Sequence, residues 1–102
     1  MLCRMGKLPA EEARKRVQQL SGWTLEGEVI KKLFTFPDFP GAVAFIVRLG
    51  FAAEGVDHHP DLLVNYKRVT VSYSTHSEGG LTDKDFAGAH TASDIAAAMG
   101  GK

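Results

Sequence analysis

Fifteen residues in the middle of the chain, from Phe39 to Ala53, contain a single charged side chain, Arg48. Asp38 ahead of Phe39-Pro40 offers a helix cap and a proline tolerated in the first turn, so the stretch predicts a helix over about 39–55. Val43, Phe45, Ile46, Val47, Leu49 and Phe51 point in all directions around it. A helix that is apolar on every side has to be covered on more than one side. At 102 residues the chain makes one small domain. Such a domain buries roughly 65% of its unfolded surface and cannot wrap this helix alone. A membrane does not solve the problem, because a span needs about 20 apolar residues and this stretch is shorter and interrupted by Pro40, Gly41 and Gly50. The simplest cover is a second copy of the chain, with Gly41, Ala42, Gly50, Ala52 and Ala53 permitting close approach. The segment predicts a homo-oligomer, dimer or tetramer, joined through this helix.

The flanking sequence supplies the other layer. Pro9, with Glu11 and Glu12 behind it, opens an amphipathic helix over 9–20 whose inner face is Ala10, Ala13, Val17 and Leu20. Arg14, Lys15 and Arg16 read as its solvated side. Trp23–Leu25 and Val29–Phe36 flank the turn Glu26-Gly27-Glu28 and read as a hairpin. Ile30, Lys32, Phe34 and Phe36 fall on one face of its second strand. Asp61–Tyr66 and a strand with Val69, Val71 and Tyr73 on one side form a second hairpin. Thr82-Asp83-Lys84-Asp85 carries a capping-box pattern that opens a last helix. The order helix, hairpin, helix, hairpin, helix predicts an α+β, two-layer sandwich: a four-stranded antiparallel sheet with three helices packed on one face. Residues 1–102 are expected to form a single domain, with 1–7 flexible.

Composition excludes several function classes. Twelve basic and twelve acidic residues balance, so no overall field exists for gripping nucleic acid or an anionic membrane. Cys3 is the only cysteine, which rules out an intrachain disulfide, a zinc ribbon and a CxxC redox pair. The opening MLCRMGK is too short and too charged for a signal peptide, and Met5 is an alternative start. A cytoplasmic location is expected.

The charge balance counts four histidines as neutral, and three of them gather in one region. His58 and His59 precede the third strand and His76 ends the fourth; pairing of those strands brings them to one edge of the sheet. Glu54 and Asp57 arrive there from the apolar helix, and Lys84 and Asp85 from the last one. Histidines, carboxylates and a cation converging on an edge cleft suit acid–base chemistry near neutral pH. Each residue also has a plainer reading: a polar loop for His58-His59-Pro60, a turn hydrogen bond for Asp57, helix-end charges for Glu54 and Asp85. Three histidines could also hold zinc, but adjacent side chains ligate one ion poorly and no HxH or HxxxH pair is present, so no metal is expected. His90 reads as structural.

Taken together, Glu54-x-x-Asp57-His58-His59-Pro60, Tyr66, Ser74-Thr75-His76 and Leu81-Thr82-x-Lys84-Asp85 resemble the pterin-4a-carbinolamine dehydratases. Leu20-x-Gly22-Trp23 fits the same family, and the likeness spans about residues 8–99. The resemblance implies dehydration of 4a-hydroxytetrahydropterin to quinonoid dihydropterin, in recycling the cofactor of aromatic amino acid hydroxylases. It implies no metal or organic cofactor, and dimers or tetramers built through helix packing. By similarity His58, His59 and His76 line the pterin site, with Glu54, Asp57, Ser74, Thr75 and Lys84 binding substrate. Of the histidines, His58 and His76 are expected to move protons, and His59 to bind the leaving hydroxyl. Two positions depart from better-known members: Lys84 replaces an arginine, losing its planar fork, and Leu62 replaces a tryptophan. Some animal members also stabilise dimers of a homeodomain transcription factor. The alternative from another class is therefore a dimerisation or coactivator-type module on the same fold, with little catalysis.

Overall fold

The computed structural model describes residues 6–102, so Cys3, Met5 and most of the segment expected to be flexible lie outside the described residues. From Lys7 onward the chain is held: Lys7 pairs with Glu28 at 3.1 Å, and the Leu8 amide donates to the Leu81 carbonyl at 2.7 Å. Helix α1 (Ala10–Gln18) buries Ala13 and Val17, and Leu20 extends that stripe into the core. Pro9 stands just outside the helix, with ψ 148°, and not in its first turn. One member of the basic run is engaged. Arg16 donates to Glu12 at 3.1 Å and to Asp83, far along the chain, at 2.6 Å.

Strands β1 (Thr24–Glu26) and β2 (Val29–Thr35) form the first hairpin. Gly27 turns it at φ +61°, a left-handed conformation that a side chain would oppose. Ile30 and Phe34 point inward and Leu33 outward, as the alternation requires. Lys32 shares the inward face yet stays solvated at its tip. Its Nζ lies over the Phe34 ring, 4.9 Å from the centre, and donates to the Ser21 carbonyl at 3.0 Å.

Helix α2 (Phe39–Gly55) matches the predicted span, and Asp38 caps it by accepting from the Gly41 amide at 2.8 Å. Strands β3 (Asp61–Asn65) and β4 (Arg68–Tyr73) make the second hairpin. The sheet order is β1-β2-β4-β3, all antiparallel. Its central pair aligns Ile30 with Tyr73 and Phe34 with Val69, which puts the most apolar positions of both hairpins at the middle of the core. Helix α3 (Asp83–Ala98) starts on a complete capping box between Thr82 and Asp85. The three helices cover one face. Phe45 of α2 meets Phe34 and Phe36 with ring centres 5.3 and 4.8 Å away, and Trp23 donates to Ser93 of α3 at 2.9 Å.

One detail departs from expectation and a second agrees with it. His76 does not end a strand: β4 stops at Tyr73, and His76 opens a one-turn 3-10 helix, His76–Glu78. The cause is a local closure in which Thr75 and Gly80 exchange backbone hydrogen bonds and pull the chain off the ladder. Within the chain, α2 is also covered on one stripe alone. Ala42, Phe45, Leu49 and Ala53 are buried, whereas Phe39, Val43, Val47 and Phe51, each four residues on, form an exposed apolar ridge.

Candidate active site

The site is built where α2 ends, β4 leaves the sheet and α3 begins. After α2 the chain turns through Asp57, held in a left-handed conformation at φ +53° that aspartate tolerates better than most residues. The His58 amide returns to the Ala53 carbonyl at 3.1 Å, closing the helix end and aiming the next side chain back over the sheet. His58 Nε2 then meets Asp85 Oδ1 at 2.6 Å.

Asp85 is fully buried and completely engaged. Its Oδ2 accepts from the Thr75 hydroxyl at 2.8 Å and from the Thr82 amide at 2.9 Å. Because Thr75 has one proton and donates it to Asp85, the 2.9 Å contact between Thr75 and Thr82 is donated by Thr82. Three donors thus converge on one buried carboxylate and satisfy both of its oxygens. That network assigns the His58 proton to Nε2, which leaves Nδ1 as the nitrogen without a partner among the described residues. A ring fixed in this way can accept a proton at Nδ1 and give it back.

His58 lies nearly parallel to the Tyr73 ring, 18° between planes and 5.8 Å between centres. Both line a cleft of about 240 Å³ whose walls are small residues of α2 (Ala52, Ala53) and α3 (Ala87, Gly88), with Lys84 also lining it. Burial, assisted by the Asp85 charge, pushes the Tyr73 phenol up to about 12. Tyr73 is therefore neutral at physiological pH.

The expected residues separate into groups. His58 and Lys84 line the cleft, and Thr75 stands behind His58 through Asp85. His59 and Glu54 pair with each other at 2.8 Å, both exposed, outside the cleft lining. His76 and Asp57 are exposed. The Ser74 hydroxyl is committed to the Glu28 carbonyl at 2.7 Å, where it ties the exit of β4 to the β1–β2 turn. Asp85 had a legible signal, the third position of the capping box, but that pattern explains only Oδ2; its second oxygen holds the histidine. Tyr73 and Thr82 were not among the expected site residues. Tyr73 reads from sequence as core, and its one hint is a phenol on an inward-facing strand position. Among the described residues no group of three or more His, Cys, Asp or Glu is placed to hold a metal ion.

Comparison with known proteins bears on the same residues. A family model described as pterin 4 alpha carbinolamine dehydratase matches residues 6–95. A provisionally named pterin-4-alpha-carbinolamine dehydratase of Roseiflexus sp. (strain RS-1) is 46% identical over 80 residues, covering 78% of this chain and 86% of the relative. A counterpart from Sulfolobus acidocaldarius, also provisionally named, is 45% identical over 78% of this chain and 88% of its own length. Among solved structures, a transcriptional coactivator/pterin dehydratase from Brucella melitensis superposes with a TM-score of 0.84 at 36% identity, over 89% of this chain and 99% of that one.

Proposed function

The chain belongs to the pterin 4 alpha carbinolamine dehydratase family, and from that premise we propose that it eliminates water from 4a-hydroxytetrahydropterin to give quinonoid dihydropterin. The observation that carries the reading is the His58–Asp85 hydrogen bond of 2.6 Å in the wall of the cleft. In the reaction the C4a–O bond breaks, the N5–H bond breaks and a C4a=N5 double bond forms. The departing hydroxyl takes up one proton and leaves as water, while the N5 proton passes to a base. No electron changes hands, so two proton-transfer groups complete the balance.

In this mechanism His58 and His76 move the protons and His59 binds and polarises the leaving hydroxyl. Asp85 is a positioning residue that holds His58 with Nδ1 free. Lys84, which lines the cleft, and the exposed Glu54 and Asp57 bind the polar parts of the pterin. Thr75 contributes through Asp85, and Ser74 by holding the strand exit. The reaction would serve recycling of a tetrahydropterin cofactor. Among the described residues no helix is long and apolar enough to cross a membrane, and a cytoplasmic setting fits a diffusible substrate.

A second reading, an interaction module of the same fold with little catalysis, draws support from the exposed ridge on α2 and from the similar Brucella melitensis protein, which is named a transcriptional coactivator/pterin dehydratase. Stopped-flow absorbance of carbinolamine decay separates the two. Micromolar wild-type protein is expected to accelerate decay, and Asp85→Asn to lose about 10²-fold of that acceleration, because an amide no longer imposes the His58 tautomer. No acceleration by the wild type would leave the interaction module as the surviving reading.

A further inference from the structure

Tyr73 is 2% exposed, and its ring is clamped between Trp23, 6.3 Å away, and His58, 5.8 Å away. Its hydroxyl makes no hydrogen bond among the described residues, yet no described side-chain polar atom is both sealed from solvent and unpartnered. The hydroxyl therefore opens into the cleft that Tyr73 lines. A phenylalanine would fill the same space without leaving a donor there, so packing alone does not account for the phenol.

The facing helix is shaped around this group. Gly88 lies inside α3, where glycine is less favourable than alanine. A Cβ on Gly88 would fall 2.5 Å from Tyr73 Cε1, 2.6 Å from Cζ and 3.0 Å from the hydroxyl oxygen. No residue with a side chain can occupy that position while the phenol stays where it is. The chain thus gives up helix propensity at the one point where the tip of Tyr73 meets the cleft wall. Around it the cleft offers His58, Lys84 and Thr91 as its other polar side chains. A pterin presents a carbonyl oxygen and ring nitrogens that need donors.

Resting on the dehydratase reading above, we propose that Tyr73 is a further substrate-contacting residue, its hydroxyl donating a hydrogen bond to an acceptor on the heteroaromatic edge of the bound pterin. It sets affinity and orientation and takes no proton from the reaction.

The test is Tyr73→Phe, which keeps the ring, the contact with His58 and the fit against Gly88. Binding of 7,8-dihydropterin, an unreactive probe, is measured by calorimetry alongside carbinolamine kinetics. The variant is expected to melt with the wild type, to bind the probe about 10-fold more weakly, and to raise KM by a similar factor with kcat within about twofold. Equal affinity in both proteins overturns the contact. A fall in kcat at unchanged KM also overturns it and reassigns Tyr73 to holding His58. A wild type that neither binds the probe nor turns over carbinolamine overturns the dehydratase reading itself, and the contact with it.

Discussion

At the scale of single residues, the site depends on where protons are confined. Asp85 has no solvent contact and accepts three hydrogen bonds, so the histidine it holds has one tautomer and one free nitrogen. Tyr73 is the opposite case, a neutral donor kept neutral by burial and by the nearby carboxylate, which push its phenol up to about 12. This has a consequence for stability with a definite sign. The folded protein retains the phenolic proton where the unfolded chain, titrating near 10, has lost it. The contribution is thus fully present below pH 10 and is lost as pH rises towards 12. Urea unfolding is expected to show the wild type losing on the order of 1 kcal/mol more than Tyr73→Phe between pH 9 and pH 11. Parallel pH profiles for the two proteins would contradict that placement of Tyr73. The residues themselves were only half legible in sequence. His58, Thr75 and Lys84 stood out because their types and spacing suit the chemistry. Asp85 looked like a helix-end charge, since a capping box explains one of its oxygens and sequence says nothing about the other.

At the scale of elements, α3 is a compromise between helix and site. Its start is reinforced by the capping box, and its interior is weakened by Gly88 for the sake of Tyr73. On an exposed helix, Gly→Ala would stabilise by roughly 0.5–1 kcal/mol. Here Gly88→Ala is expected to destabilise by about 1–3 kcal/mol, because the new methyl overlaps the phenol ring. In a Tyr73→Leu background the sign should reverse to a small stabilisation. Chemical denaturation of the four proteins closes this cycle, and additive effects would mean that the two positions are not coupled. The elements were the most legible part of the chain. Helix α2 matched its predicted span because cap, proline and apolar run agree there. The fourth strand ended earlier than expected because the Thr75–Gly80 closure joins residues through the fold and leaves no periodic trace.

At the scale of the whole molecule, Phe39, Val43, Val47 and Phe51 form an apolar ridge left uncovered among the described residues, and Phe51 alone is 77% exposed. The homodimer or homotetramer proposed from the sequence would cover it. Phe51→Glu is expected to shift the protein to monomers in light scattering, with its unfolding free energy per chain otherwise changed by less than about 0.5 kcal/mol. An unchanged assembly would move the interface away from α2. A wild type that is itself monomeric would remove the oligomer altogether.

The sequence by itself determined the element order, the apolar faces of the second and fourth strands and the capping of α2 and α3, and it offered histidines and a cation of the types the proposed chemistry needs. These follow from local periodicity and from side-chain type, which every residue carries wherever it ends up. Only the tertiary structure decided that β2 and β4 are neighbours, that Asp85 is the buried partner of His58, and that Gly88 makes room for Tyr73. Each of these is a contact between distant parts of the chain. Its energy depends on burial and geometry, which exist only once the sheet and helices have closed on one another.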